Sequence, residues 1–405
     1  YLILSLFVNF MRINNKQQSL LILTFILALN VYSDYFPDGN SWNFSQPYEE
    51  DIDPKKVSQL IDLAFSDDAT QAIVIIKNGK IIGERYADSY NFASHGTSWS
   101  MAKSYYASLI GISIDKGEIE SLDDDVSDYL DYFGDARSAI TIRDLLNMSS
   151  GLDFPIHEHE KMFFQIDHLK YAKSVKYEKN PGIKFEYNNV NSMLLGEILK
   201  AATGESADVL LRDRIFKPLG IIDSTLWRDN SGNVMSYCCI DLTARDYTKF
   251  GLLFANNGVW NQEQIIPKSF IDETFTTVSE FQSPRKGGYS LHWWVASDDE
   301  QDQIFYASGK YGQYIFVDRE NSLVITKITK YEPTGGSVQD FGQFGWLTEI
   351  ENFYILLAVS AFLDSANLMK FGEGFVTTPI TRENGTQTSF RRDFQKFINV
   401  IKELH

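Results

Sequence analysis

Apolar residues along this chain change their spacing twice, from strand-like runs near the start to helical periodicity in the middle and back again late. Asp53-Pro54 opens a helix predicted to run to about Phe65, with proline at the first helical position. Ala72–Lys77 and Ile81–Tyr86 then read as apolar-rich strands on either side of Asn78-Gly79, a strong hairpin signal. From about Ser100 the spacing turns helical. Met101, Tyr105, Leu109 and Ile112 recur at helical intervals, and Gly117 ends the run. Further helices are predicted around 141–148, 190–203 and 241–257. Strand patterns return at Gln303–Tyr306, Gln313–Val317 and Ser322–Ile328, and helical ones at Asn352–Leu363 and Arg392–Leu404.

Strands at both ends with helices between imply an α/β (α+β) fold. The early hairpin and the late strands join in one antiparallel sheet flanked by helices, and the middle is a large helical insertion. Residues 34–405 are then a single unit, with 50–95 and 287–405 as the sheet subdomain and 96–286 as a mainly helical one. No internal repeat or low-complexity tract interrupts it.

The first residue is Tyr, and Met11 is the natural start. Arg12 and Lys16, the apolar run Leu20–Leu29 and Val31-Tyr32-Ser33 have the order of a secretory signal. Residues 1–33 are therefore expected to be a leader and signal peptide, giving an exported (periplasmic or secreted) mature protein. The alternative is an N-terminal membrane anchor, although the run is short for a bilayer span. The chain has 405 residues and a formal net charge of −17, which argues against nucleic acid or an anionic membrane as partner. Its two cysteines, Cys238 and Cys239, are adjacent. A bridge between neighbours is uncommon, so they are expected to be two small buried residues.

Ser100-Met101-Ala102-Lys103 places a serine and a lysine one helical turn apart on the same face. At a helix start, free backbone N–H groups can hold a developing oxyanion, and the positive helix end disfavours a protonated lysine. Two further copies of the pattern occur. Ser113-Ile114-Asp115-Lys116 lies at the far end of the same helix, and Ser283-Pro284-Arg285-Lys286 reads as a turn. Tyr187-Asn188-Asn189 is the one Tyr-x-Asn in the sequence, on a loop between Pro181-Gly182 and a helix. A tyrosine needs a cationic neighbour to act as a base, and Lys103 is the candidate. Ala307-Ser308-Gly309 stands in a strand context, where the N–H of Lys310 would be a second oxyanion donor.

With these motifs the chain resembles the class C β-lactamase-related serine hydrolases, which include D-aminopeptidases, D-alanyl-D-alanine carboxypeptidases, esterases and 6-aminohexanoate-dimer hydrolases. Glu118–Asp124, Thr141–Leu152 and Lys217-Pro218-Leu219-Gly220 are similar to further landmarks of that family, and the likeness covers roughly 55–330. The resemblance implies Ser100 as acylated nucleophile, Lys103 as its partner, Tyr187 as general base and Asn189 as the residue orienting the lysine and substrate. It implies Ala307, Ser308, Gly309 and Lys310 beside the oxyanion and substrate, and no metal or organic cofactor. The third motif is usually Lys-Thr-Gly or His-Thr/Ser-Gly, whereas this chain has Ala307. Lys310 is adjacent, but alternation along a strand would point it to the opposite face. This departure favours a small ester or amide substrate over a β-lactam, and the Gly309–Gly312-Gln313 pattern resembles the 6-aminohexanoate-dimer hydrolases most. A true β-lactamase or D-amino-acid peptidase is the alternative.

Other readings are weaker. The α/β-hydrolase elbow Gly-x-Ser-x-Gly is absent from the sequence. His157-Glu158-His159 lacks metalloprotease spacing and reads as a solvated loop. His95 could line a pocket or be structural; Trp99, Trp293 and Trp294 could line an acyl pocket or simply fill the core. A non-catalytic ligand-binding protein on the same scaffold is the rival from another class.

Overall fold

The computed structural model describes residues 36–404 except 38, 40, 155–160, 164, 276–287, 297–303, 311, 331–346, 348–349, 351 and 367–388. The expected signal segment, His157-Glu158-His159 and the serine–lysine copy at 283–286 lie outside the described residues. The chain divides into a unit of residues 1–36, of which only Phe36 is described, and a unit of residues 37–405.

Helix α1 (Pro54–Ala64) begins at Asp53, whose side chain accepts from the Lys55 N–H. Strands β1 (Thr70–Lys77) and β2 (Lys80–Tyr86) follow as the expected hairpin, with Asn78 and Gly79 both at positive φ. β3 (His95–Thr97) leads into α2 (Ala102–Asp115). The middle of the chain contributes α3 (Ile142–Leu146), α4 (His168–Ser174), α5 (Asn189–Thr203) and α6 (Ala207–Leu211). Next come β4 (Thr225–Leu226), β5 (Ile240–Thr243), α7 (Ala244–Ala255), the small hairpin β6 (Val259–Trp260) and β7 (Glu263–Gln264), and α8 (Lys268–Thr274). The late strands are β8 (Gly288–Ser290), β9 (Trp293–Val295), β10 (Phe305–Gly309), β11 (Gln313–Asp318) and β12 (Leu323–Thr329). Helices α9 (Phe353–Ser365) and α10 (Ser389–Lys402) follow.

Seven strands make one antiparallel sheet in the order β2-β1-β12-β11-β10-β9-β8. The fold is thus the expected mixture of helix and antiparallel sheet. Pairing of β1 with β12, from Thr70 opposite Thr329 to Lys77 opposite Leu323, closes the two distant ends of the pattern on each other. Strand alternation gives the sheet two apolar faces. Ile73, Ile75, Phe316 and Ile325 pack in one cluster with Leu60 of α1 and Phe397 and Ile401 of α10. The opposite face receives α7. A methyl group on Gly251 would stand 2.4 Å from Val324 and 2.7 Å from Ile315, so the helix backbone lies directly on the sheet.

Two expectations are corrected here. The predicted helix 241–257 is strand β5 followed by α7, because the Thr243 side chain accepts from the Asp246 N–H and starts the helix there. Cys238 and Cys239 are buried as expected, but they are bonded to each other as a disulfide.

Candidate active site

The turn that carries Ser100 is fixed from both sides. β3 pairs with β5, and Ser98 continues the ladder: its N–H donates to the Ile240 carbonyl at 2.8 Å while its Oγ accepts from the Ile240 N–H at 2.8 Å. Trp99 then takes a φ of +47°, a left-handed conformation costly for a bulky residue. The chain reverses there, and Ser100 sits in a short 3₁₀ turn that runs into α2. Trp99 and Met101 are buried and Ser100 is half-buried, so Ser100 is the most accessible residue of the turn.

Lys103, one turn into the same segment, is 1 % exposed. Its Nζ lies 3.1 Å from Ser100 Oγ, 2.8 Å from Asn189 Oδ1 and 2.5 Å from the carbonyl oxygen of Tyr237. Burial pushes the lysine well below its ordinary 10.5. A neutral amine has two N–H groups and one lone pair. Asn189 and Tyr237 offer the two acceptors, which leaves the lone pair for the Ser100 hydroxyl.

Asn189 is the first residue of α5. Its neighbour Asn188 caps the helix, accepting from the Val190 and Asn191 N–H groups. Tyr187 is the loop residue just before. Its ring stacks on Trp294 at 5.6 Å and meets Tyr289 edge-on at 6.2 Å, and Lys103 Nζ lies 5.2 Å from its centroid. The structure therefore gathers Ser100, Lys103, Tyr187 and Asn189 around one amine. Tyr237 is the member that sequence reasoning missed, because it acts through a backbone carbonyl and leaves no side-chain signature.

β10 supplies the far wall. A Cβ at Gly309 would lie 2.1 Å from the Ser98 carbonyl oxygen, so the end of this strand presses on the turn that bears Ser100. Ser308 is half-buried; Ala307 is fully buried, with its side chain on the other face of the strand. Lys310 lies just past the end of this strand. β10 ends at Gly309, so alternation does not reach Lys310, and its Nζ lies 5.8 Å from the Trp99 ring centroid. The Lys310 amine thus stands beside the turn that carries Ser100. Trp294 contacts the Tyr187 ring, whereas Trp293 packs among Phe250, Phe254 and Phe275 in the core. His95 lies 3.4 Å from an Asp223 carboxylate oxygen. Ser113, in the other described serine–lysine copy, contacts Arg214 at 3.1 Å.

Among the described residues, no group of His, Cys, Asp and Glu side chains is arranged to hold a metal, and no helix is long and apolar enough to cross a membrane.

Comparison with known proteins agrees with this architecture. The 6-aminohexanoate-dimer hydrolase of Paenarthrobacter ureafaciens is 18 % identical over 298 residues, covering 67 % of this chain and 75 % of that protein. A D-aminopeptidase of Brucella anthropi is 28 % identical over 177 residues, 40 % of this chain but only 33 % of the relative. The octameric penicillin-binding protein homologue from Pyrococcus abyssi shares the fold, with a TM-score of 0.57 at 19 % identity over 68 % of this chain and 72 % of that one. The Beta-lactamase family profile matches residues 69–343, well over half of the chain, which therefore belongs to the Beta-lactamase family of serine hydrolases.

Proposed function

We propose that the protein hydrolyses ester or amide bonds of a small substrate through an acyl-enzyme on Ser100, in the manner suggested by its likeness to a 6-aminohexanoate-dimer hydrolase. The observation that carries this reading is the buried Lys103 amine, held by Asn189 and the Tyr237 carbonyl with Ser100 Oγ 3.1 Å away. Ser100 attacks the substrate carbonyl while its proton passes to the Lys103–Tyr187 pair. The oxyanion is held by the backbone N–H groups of Ser100 and Lys310, a contribution of several kcal/mol in comparable sites. The pair then gives the proton to the departing alcohol or amine. Water, deprotonated by the same pair, attacks the acyl-enzyme and releases the acid, and Ser100 recovers its proton.

The order of charges and apolar residues at 11–33 supports export. A fluorophosphonate probe together with p-nitrophenyl butyrate, nitrocefin and a D-alanyl amide tests the proposal. Labelling at Ser100 with turnover of the ester or amide supports it; neither labelling nor turnover overturns it.

A further inference from the structure

β8 and β9 are joined by the two-residue turn Leu291-His292, with φ of +42° and +67°. Two-residue hairpin turns of this hand favour asparagine and glycine, and a leucine there is strained. The surrounding structure holds the turn in place. The Leu291 N–H donates to Asn147 Oδ1 at 2.9 Å, and the His292 N–H to the Leu146 carbonyl at 3.1 Å. The His292 carbonyl accepts from Ser104 Oγ at 2.8 Å. The imidazole is engaged at both nitrogens, with Ser192 Oγ 2.9 Å from Nε2 and Tyr289 Oη 3.2 Å from Nδ1. Burial, with the Lys103 amine nearby, pushes this histidine down to about 3, so the ring is a neutral donor–acceptor.

The partners are informative. Ser104 follows Lys103 on α2, and Ser192 lies one turn after Asn189 on α5. The hairpin is thereby fastened to α2, which carries Lys103, and to α5, which begins with Asn189. Its other residues, Tyr289 and Trp294, are the walls against which the Tyr187 ring lies. We propose that His292 is a positioning residue: through Tyr289 it holds the aromatic walls of Tyr187 in register with Lys103. The inference rests on the serine hydrolase reading above. It adds a group that touches neither the nucleophile nor a substrate, yet sets the geometry of the proton-transfer pair.

The test compares the full chain with His292→Asn, Tyr289→Phe and the double variant, using p-nitrophenyl butyrate, with Ser100→Ala as reference. Asparagine tolerates positive φ, and phenylalanine keeps the wall while removing the hydroxyl. Each single change is expected to lower kcat about tenfold with KM within about twofold, and the double variant to lose about as much as the more impaired single variant. If the singles keep wild-type kcat, or the double loses the product of both effects, His292 does not act through Tyr289 and the inference is wrong. Should His292→Asn show no melting transition, kcat and KM of Tyr289→Phe decide alone. Wild-type turnover that survives in Ser100→Ala overturns the parent reading. Loss in Ser100→Ala beside unchanged His292 and Tyr289 variants overturns only this inference.

Discussion

Gly309 and Ser98 meet backbone to backbone: a Cβ on Gly309 would stand 2.1 Å from the Ser98 carbonyl oxygen. The contact seats the last residue of β10 against the turn that presents Ser100. Gly309→Ala must push the two apart, and the displaced atom is backbone rather than a flexible side-chain tip. Turnover is expected to fall at least about tenfold, with a stability loss of about 1–3 kcal/mol from the forced shift. Urea unfolding and ester turnover measure the two. Wild-type activity in this variant would mean that β10 does not shape the site.

Removing the lysine amine leaves two buried acceptors, Asn189 Oδ1 and the Tyr237 carbonyl, without their donor. Lys103→Met fills the volume but not the hydrogen bonds. Expected are a folded protein destabilised by about 1–3 kcal/mol and a loss in kcat/KM of roughly a hundredfold or more. Tyr187→Phe should also lose most of its turnover while labelling is measured beside it. Near wild-type rates in either variant would remove that residue from the proton-transfer pair.

Because burial lowers Lys103 well below 10.5, the amine is the neutral, proton-accepting form far below the ordinary lysine range. The fluorophosphonate labelling rate of Ser100 should climb with pH and level off well before pH 10. A rate still rising steeply through pH 10 would show an unperturbed lysine, incompatible with the observed burial.

His168 and His292 are fully buried, and burial pushes them from 6.5 to about 4 and about 3. Above pH 6.5 both are neutral whether the chain is folded or not. As pH falls below that value, the unfolded chain takes up protons that the folded chain refuses, so stability drops. Together the two histidines contribute a slope of about 2 to 2.5 kcal/mol per pH unit between pH 6 and pH 5. Asp241, whose buried carboxyl is pushed up, works in the opposite sense over its own range. Urea midpoints at pH 7, 6 and 5 give the slope, and a flat profile would contradict neutral buried histidines.

The parts of the fold that were legible are those with local signatures. Asn78-Gly79 announces its hairpin, and Ser100 and Lys103 share a helix face by spacing alone. Residues 291–292 announce nothing, since Leu-His is the reverse of the usual turn chemistry and the turn is held by long-range hydrogen bonds with Asn147, Leu146, Ser104 and Ser192. β8 and β9 were therefore invisible in the pattern. The contact of Lys310 with Trp99 has no sequence signature, because Lys310 lies past the end of β10, where strand alternation no longer fixes a side chain. Tyr237 contributes a carbonyl, which every residue possesses. Long-range backbone contacts of this kind carry no sequence pattern and become readable only after the sheet has been assembled.

The pairing of β1 with β12 also bears on how the protein is made. Thr70 finds its partner Thr329 only after the intervening chain has been synthesised, and Ser98 meets Gly309 only once the chain through residue 309 has been made. A nascent chain that has already emerged through Asn189 holds Ser100, Lys103, Tyr187 and Asn189 but lacks the strand that presses on the Ser100 turn. Assembly of the Ser100 turn against β10 is thus a late event, coupled to closure of the sheet.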